Sequence, residues 1–261
     1  MNEDLILFET KNKVAIITIN RPDKANAVNV DMLRKIHTYL QEADKDERAK
    51  IILFKSLGER FFSAGYDLKE VAGNPENVKL ITEWGRKVNE TILFLKKPVI
   101  SQIQGAAIGF GVLLILASDL TVFADRPRDE LYIQLPELFI NAFPQTGATL
   151  MPLMAFGIKY AKNILFTNRK IGLEELRNIN FPTKIVPFEL LEEKTFEYAK
   201  ELTKLKMEFI FTAKSMMTIM NKTYIRSCFD LEDECGAYAY GPKKPMSDLH
   251  EFIKNLYKKY P

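Results

Sequence analysis

Cysteine, histidine and tryptophan are scarce in this chain, with two, two and one among 261 residues. The two cysteines, Cys228 and Cys235, fall seven positions apart in a stretch that reads as helix. Two helical turns put them roughly 10 Å apart, which excludes a disulfide within one helix. No Cys/His group has zinc spacing, so no metal is expected. Reduced thiols fit an intracellular, cytoplasmic setting. Ser63 has no His and Asp partners for a nucleophilic triad, because His37 and His250 lie on stretches of their own. Charge of one sign is also lacking: 37 basic and 34 acidic residues leave +3. The short basic clusters Lys96-Lys97, Lys243-Lys244 and Lys258-Lys259 are dispersed. A nucleic-acid face would need a concentrated patch, so nucleic acid is not expected as a partner. The longest apolar run, Gly105 to Ala117, falls short of the roughly 20 residues of a membrane span. The opening MNEDLILFETKNK carries early acids and no long apolar core, unlike a signal peptide.

What remains is the composition of a folded domain, 47% hydrophobic and 27% charged. Leu5 to Phe8 and Val14 to Ile19 read as a hairpin about the polar turn Thr10 to Lys13. After a Pro/Asn-punctuated loop, Leu33, Ile36, Leu40 and Ala43 recur at helical spacing, with Asn29 or Asp31 as cap. Ile51 to Phe54, Val99 to Ile103 and Thr121 to Ala124 are apolar strands. Alternation of strands with helices predicts an α/β fold with mostly parallel pairing. Beyond Val186 the strand signal fades. Helices are expected over Phe188 to Leu205, much of Phe209 to Cys228, and Leu249 to Tyr257, the last capped by Ser247. The chain thus divides into an α/β core at 1–187 and a helical C-terminal region at 188–261, with no low-complexity linker and no repeats.

The chemistry concentrates in Gly105 to Leu114, GAAIGFGVLL, where Gly105, Gly109 and Gly111 are expected to open an apolar helix. Free N–H groups and a positive dipole end at a helix start suit a developing negative charge. A dinucleotide fingerprint is not matched, since GxGxxG would require glycine at Leu114. No acid or base lies in the stretch, so a proton carrier must come from elsewhere. Upstream, Phe61 to Leu68 (FFSAGYDL) has three small residues that permit a tight turn and close ligand approach.

Taken together, four segments resemble the crotonase (enoyl-CoA hydratase/isomerase) superfamily over nearly the whole chain. They are Asn20 to Ala27 (NRPDKANA), Phe62 to Leu68, Lys97 to Ile100, and the glycine-bearing helix start. The resemblance implies a crotonase-like ββα spiral core, an acyl-CoA thioester substrate and no separate cofactor. It implies that the N–H groups of Tyr66 and Phe110 hold the thioester oxygen as it becomes an enolate. Many relatives have glycine where this chain has Phe110. Lys24, Ala25, Ala64, Asp67, Leu68 and Gly109 would line the CoA side, Asp67 with a mainly structural role. A homotrimer or dimer of trimers is expected, with the helical region serving assembly and covering the CoA site. The Phe and Met clusters of Phe209 to Met220 read as core or subunit interface.

Family hydratases use two glutamates. The position of the first is Leu113 here, which cannot transfer a proton; the second matches Glu137 in Leu135-Pro136-Glu137-Leu138. Glu130 is a competitor in a polar turn, and Gln145, at a position some isomerases use, cannot be a base. Leu135, Leu138 and Phe139 are expected to desolvate Glu137 and raise its pKa. One carboxylate suffices to move a double bond, whereas adding water usually benefits from two groups. The pattern is similar to the family's Δ3,Δ2-enoyl-CoA isomerases, with Glu137, Tyr66 and Phe110 as catalytic residues. Hydration or another crotonase reaction, and an inactive acyl-CoA-binding protein, are the alternatives.

Overall fold

A computed structural model describes residues 4–72, 74–242 and 245–259; the Lys243-Lys244 pair lies outside the described residues. The chain begins with an antiparallel hairpin, β1 (Ile6–Lys11) and β2 (Val14–Ile19). Its turn is tighter than the sequence suggested. Asn12 and Lys13 alone reverse the chain, both with positive φ (49° and 68°), and this draws Thr10 and Lys11 into β1. Such two-residue turns match the twist of the strands they join.

A 3-10 turn (Pro22–Lys24) leads to α1 (Val30–Lys45), whose N-terminus is capped by Asn29, not Asp31: Asn29 Oδ1 accepts from the Met32 N–H at 2.9 Å. Then come β3 (Ile51–Ser56), β4 (Phe61–Ser63), the short α2 (Leu68–Val71), α3 (Pro75–Phe94), β5 (Val99–Ile103) and β6 (Ala106–Ile108). Helix α4 (Phe110–Ala117), β7 (Leu120–Asp125) and β8 (Tyr132–Gln134) follow. The remainder comprises α5 (Leu150–Phe156), α6 (Ile158–Thr167), β9 (Ile171–Gly172), α7 (Leu173–Asn178), β10 (Lys184–Pro187), α8 (Leu191–Leu202), α9 (Met207–Ala239) and α10 (Met246–Lys259).

Two sheets result. The larger has the order β1-β2-β3-β5-β7-β10 and is parallel throughout except for the hairpin. The smaller runs β4-β6-β8-β9, antiparallel only in its last pair. Strands β2 and β5 are buried along their whole length, which explains their mainly apolar character; the polar Thr18, Ser101 and Gln102 are buried with them. The architecture is mixed α/β with a helical C-terminal region.

The glycine-bearing stretch differs from expectation. Gly105 does not open a helix. Ala106 to Ile108 extend as β6 between β4 and β8, and the helix starts only at Phe110. Pairing on both sides of β6 fixes that stretch as strand. Gly109 makes the reversal at φ 53°, ψ −122°, a conformation that glycine adopts and side-chain-bearing residues avoid.

Toward the C-terminus the helices are offset from their expected bounds. Phe188–Leu190 form a 3-10 turn and α8 ends at Leu202. Ser247 lies inside the first turn of α10, with its hydroxyl on Asp248, and so is not the cap. Helix α9 carries both Cys228 and Cys235 as free thiols. Helix α8 packs on β3, β5, β7 and β10, while α9 packs on α3 and α5. Buried Lys214 of α9 latches these parts together. Its Nζ reaches Asp119 Oδ2 (2.6 Å) and the carbonyls of Lys97 (3.0 Å) and Ile92 (3.2 Å), closing the C-terminal end of α3. Phe209, Met216, Met217, Ile219 and Met220 are exposed on α9 and do not belong to the core of this chain. No helix among the described residues is long and apolar enough to cross a membrane.

Candidate active site

Two loops distant in sequence are stitched together by main-chain bonds. The Ala64 N–H donates to Ala25 O (2.9 Å), the Ser63 hydroxyl to Asn26 O (2.9 Å), and the Val28 N–H to Gly65 O (2.8 Å). Asn26 is buried and its amide donates to the carbonyls of Leu57 (2.8 Å) and Phe61 (2.9 Å). The Asp67 N–H returns to Val28 O (2.8 Å), so Val28 and Tyr66 form a parallel bridge. In such a bridge Val28 bonds the residues flanking Tyr66, and the Tyr66 N–H is turned to the other side.

The start of α4 packs against this turn. Gly65 has φ +86°, and a β-carbon on it would stand 2.8 Å from Ile108 O and 3.1 Å from the Phe110 N. Only glycine permits this approach. Phe110 is the first residue of α4, where an N–H has no intrahelical acceptor. Among the described residues neither the Tyr66 nor the Phe110 N–H has a main-chain partner. Two unengaged donors at the positive end of a helix are suited to an anionic oxygen.

Glu137 approaches the same point from a 3-10 turn (Glu137–Ile140) that follows Pro136. Its Oε1 lies 3.4 Å from where a β-carbon on Gly109 would stand. Its Oε2 is buried without a hydrogen-bond partner. Burial, and secondarily the charge of Glu232, raise the Glu137 pKa to about 7. The enclosure has a different origin from the one expected. Leu135 is buried, but Leu138 and Phe139 are exposed, so the covering comes from the Gly109 side. A carboxyl with this pKa can take up and give back a proton at neutral pH.

Among the other sequence-derived candidates, Leu113 is a buried apolar residue of α4. Glu130 sits in a turn, paired with Arg126. Gln145 lies against the α9 backbone at Gly236, its amide 3.5 Å from Asp233 Oδ1. Asp67 pairs with Arg21 (2.8 Å) and accepts from the Lys69 N–H (3.1 Å), so its carboxylate is engaged in local structure. Lys24 and Leu68 are exposed on the two stitched loops, with Ala25 and Ala64 joined beneath them. His37 bonds Thr91 through Nδ1 (3.0 Å) on α1, and His250 is exposed on α10.

Two further residues shape the site. The Tyr66 hydroxyl donates to Thr146 Oγ1 (3.2 Å), and burial raises its pKa. Glu232 of α9 is buried and accepts from the N–H groups of Gly147 (2.6 Å), Thr149 (2.9 Å) and Leu150 (3.3 Å) and from the Thr149 hydroxyl (2.5 Å). The small residues Thr146 to Thr149 ahead of an apolar helix signal a helix start. Nothing local in sequence points to a partner some eighty residues later. A cavity of about 470 Å³ lies between α3 and α9 nearby, with Thr82, Gln145 and Gly236 in its wall.

Residues 9–234 match the family model described as enoyl-CoA hydratase/isomerase. The chain belongs to that family. A short-chain-enoyl-CoA hydratase of Clostridium acetobutylicum is 30% identical over 188 residues, 71% of this chain and 70% of that protein. A trans-2-decenoyl-[acyl-carrier-protein] isomerase of Streptococcus mutans is 26% identical over 87% of this chain and 86% of its own length. The crystal structure of an enoyl-CoA hydratase from Bacillus anthracis superposes with TM-score 0.78 at 26% identity, over 97% of both chains. The fold is therefore that of the enoyl-CoA hydratase/isomerase family. Several further similar relatives are named as hydratases or probable hydratases, among them a crotonyl-CoA hydratase of Syntrophomonas wolfei, 29% identical over 72% of each chain.

Proposed function

We propose that this family member is an enoyl-CoA isomerase that converts a 3-enoyl-CoA to the 2-enoyl-CoA. The observation that carries this reading is Glu137: a carboxyl beside the start of α4 with one oxygen buried and unpartnered, and apolar Leu113 where family hydratases carry their other glutamate. The ionised Glu137 takes a proton from C2. The C2–H electron pair becomes a C1–C2 double bond and the carbonyl pair moves onto the thioester oxygen, giving a dienolate conjugated with the C3–C4 double bond. The N–H groups of Tyr66 and Phe110 hold that oxygen, each worth about 3 kcal/mol in the transition state. Glu137 then returns the proton to C4, leaving the double bond between C2 and C3. Lys24, Ala25, Ala64, Asp67, Leu68 and Gly109 form the CoA side. The exposed apolar residues of α9 support assembly as a homotrimer or dimer of trimers, with residues 188–261 serving that assembly and the cover of the CoA site.

Hydration is the second reading, favoured by the names of several similar relatives. A third is acyl-CoA binding without turnover. Incubation with 3-enoyl-CoA and 2-enoyl-CoA, following double-bond migration and hydration separately, distinguishes them. Migration that is lost in Glu137→Gln supports the isomerase. Hydration without migration, or binding without either, replaces it.

A further inference from the structure

The rings of Tyr66 and Phe110 stack at 4.6 Å between centroids with 16° between planes. These two residues also carry the two donor N–H groups, so both rings stand at the edge of the proposed thioester site. Phe110 is almost wholly buried. Both rings rest on α3 at Gly85. A β-carbon there would collide with the Tyr66 hydroxyl and stand 3.1 Å from Phe110 Cε2. The far end of the Tyr66 ring is tied to Thr146. The tyrosine thus bridges from α3 to the turn that begins α5.

Residues that neighbour that bridge line the cavity between α3 and α9. Thr82 in its wall is one helical turn before Gly85, and Gln145 in its wall adjoins Thr146. A thioester held between the two N–H groups has two ends. With CoA along the stitched loops near Ala25 and Ala64, its acyl end points away from them, toward the rings. We infer that the Tyr66–Phe110 stack is a specificity-determining partition that shuts the acyl end of the site off from the α3–α9 cavity and restricts the enzyme to short acyl chains. The inference rests on the acyl-CoA reading of the site.

The test uses calorimetric binding of butanoyl-, hexanoyl- and decanoyl-CoA, saturated thioesters that bind without turnover, to the full chain. In the wild-type protein, affinity is expected to level off at hexanoyl-CoA. Tyr66→Ala, which keeps the N–H but removes the ring, should raise decanoyl- relative to hexanoyl-CoA affinity at least tenfold. Tyr66→Phe keeps the ring and should retain the wild-type length preference. If Tyr66→Ala does not fold, Tyr66→Leu and Phe110→Ala should shift the ratio in the same direction. An unmoved ratio in these variants overturns the partition, as does a wild-type protein that already binds decanoyl-CoA tenfold more tightly than hexanoyl-CoA. Failure of all three thioesters to bind the wild-type protein has a different meaning: it overturns the acyl-CoA assignment itself.

Discussion

Glu137 rests over Gly109, its Oε1 3.4 Å from the point where a β-carbon on that glycine would stand. The residue after Gly109 supplies the first N–H of α4, so the Glu137 carboxyl and that N–H meet at one backbone turn. The carboxylate is enclosed on that side and carries an oxygen with no partner.

Replacing Glu137 by Gln keeps the shape and removes the proton carrier. Double-bond migration should fall by about 10³-fold or more, within the range of a lost acid/base group. In the wild-type enzyme, kcat/KM for migration should rise with pH and level off above about 7, the pKa of Glu137. A rate independent of pH between 5 and 8 would count against Glu137 as the base.

The same carboxyl has a signature in stability. Its folded-state pKa of about 7 lies above the ordinary 4.5, so the folded chain holds this proton more tightly than the unfolded one. This contribution is favourable below pH 4.5, declines as pH rises to 7, and is lost above it. Glu137→Gln should therefore gain stability relative to wild type as pH rises from 4.5 to 7, by up to about 3 kcal/mol. Paired urea melts at pH 5 and pH 8 read the difference.

Gly65→Ala should damage the site more than its size suggests. The new methyl would press on Ile108 O at 2.8 Å and on the Phe110 N at 3.1 Å, from a backbone with φ +86°. A destabilisation of about 1–3 kcal/mol is expected from the backbone alone. The loss in kcat should exceed the loss in binding, because spreading Tyr66 from Phe110 affects the enolate most. Steady-state kinetics alongside thermal melts separate the two effects.

Glu232→Leu should cost about 3 kcal/mol or more, since it strips the acceptor from three N–H groups at the start of α5. Glu232→Gln is the more informative variant. It retains one oxygen acceptor and removes a charge that raises the Glu137 pKa. The midpoint of the pH–rate profile should move to lower pH, which a purely structural loss would not produce.

Much of this was legible in the residues themselves. The strands β2, β3, β5 and β7 announce themselves because strands buried on both faces are rich in apolar residues, above all Ile51 to Phe54 and Val14 to Ile17. The strands of the smaller sheet are only two or three residues long, too brief for any periodicity to register. That is why the stretch after Gly105 reads as helix although Ala106–Ile108 is strand. In the site, Tyr66, Phe110 and Glu137 sit in or beside recognisable motifs. Thr146 and Glu232 do not. Their roles depend on a contact between α9 and the turn before α5, and no local pattern records a partner so far along the chain. The outward turn of Leu138 and Phe139 was hidden for a related reason. Apolar character predicts burial only on average, and a 3-10 turn projects successive side chains in different directions.

The clamp formed by Glu232 also bears on synthesis. A ribosome delivers the chain from its N-terminus, so Tyr66, Phe110 and Glu137 emerge well before α9. Until Glu232 arrives, the N–H groups of Gly147, Thr149 and Leu150 lack their acceptor and the turn that anchors Tyr66 through Thr146 is unpinned. A nascent chain that already contains Tyr66, Phe110 and Glu137 thus adds a further 95 residues before the brace is present. The turn that anchors Tyr66 is pinned only once the chain has been made as far as Glu232.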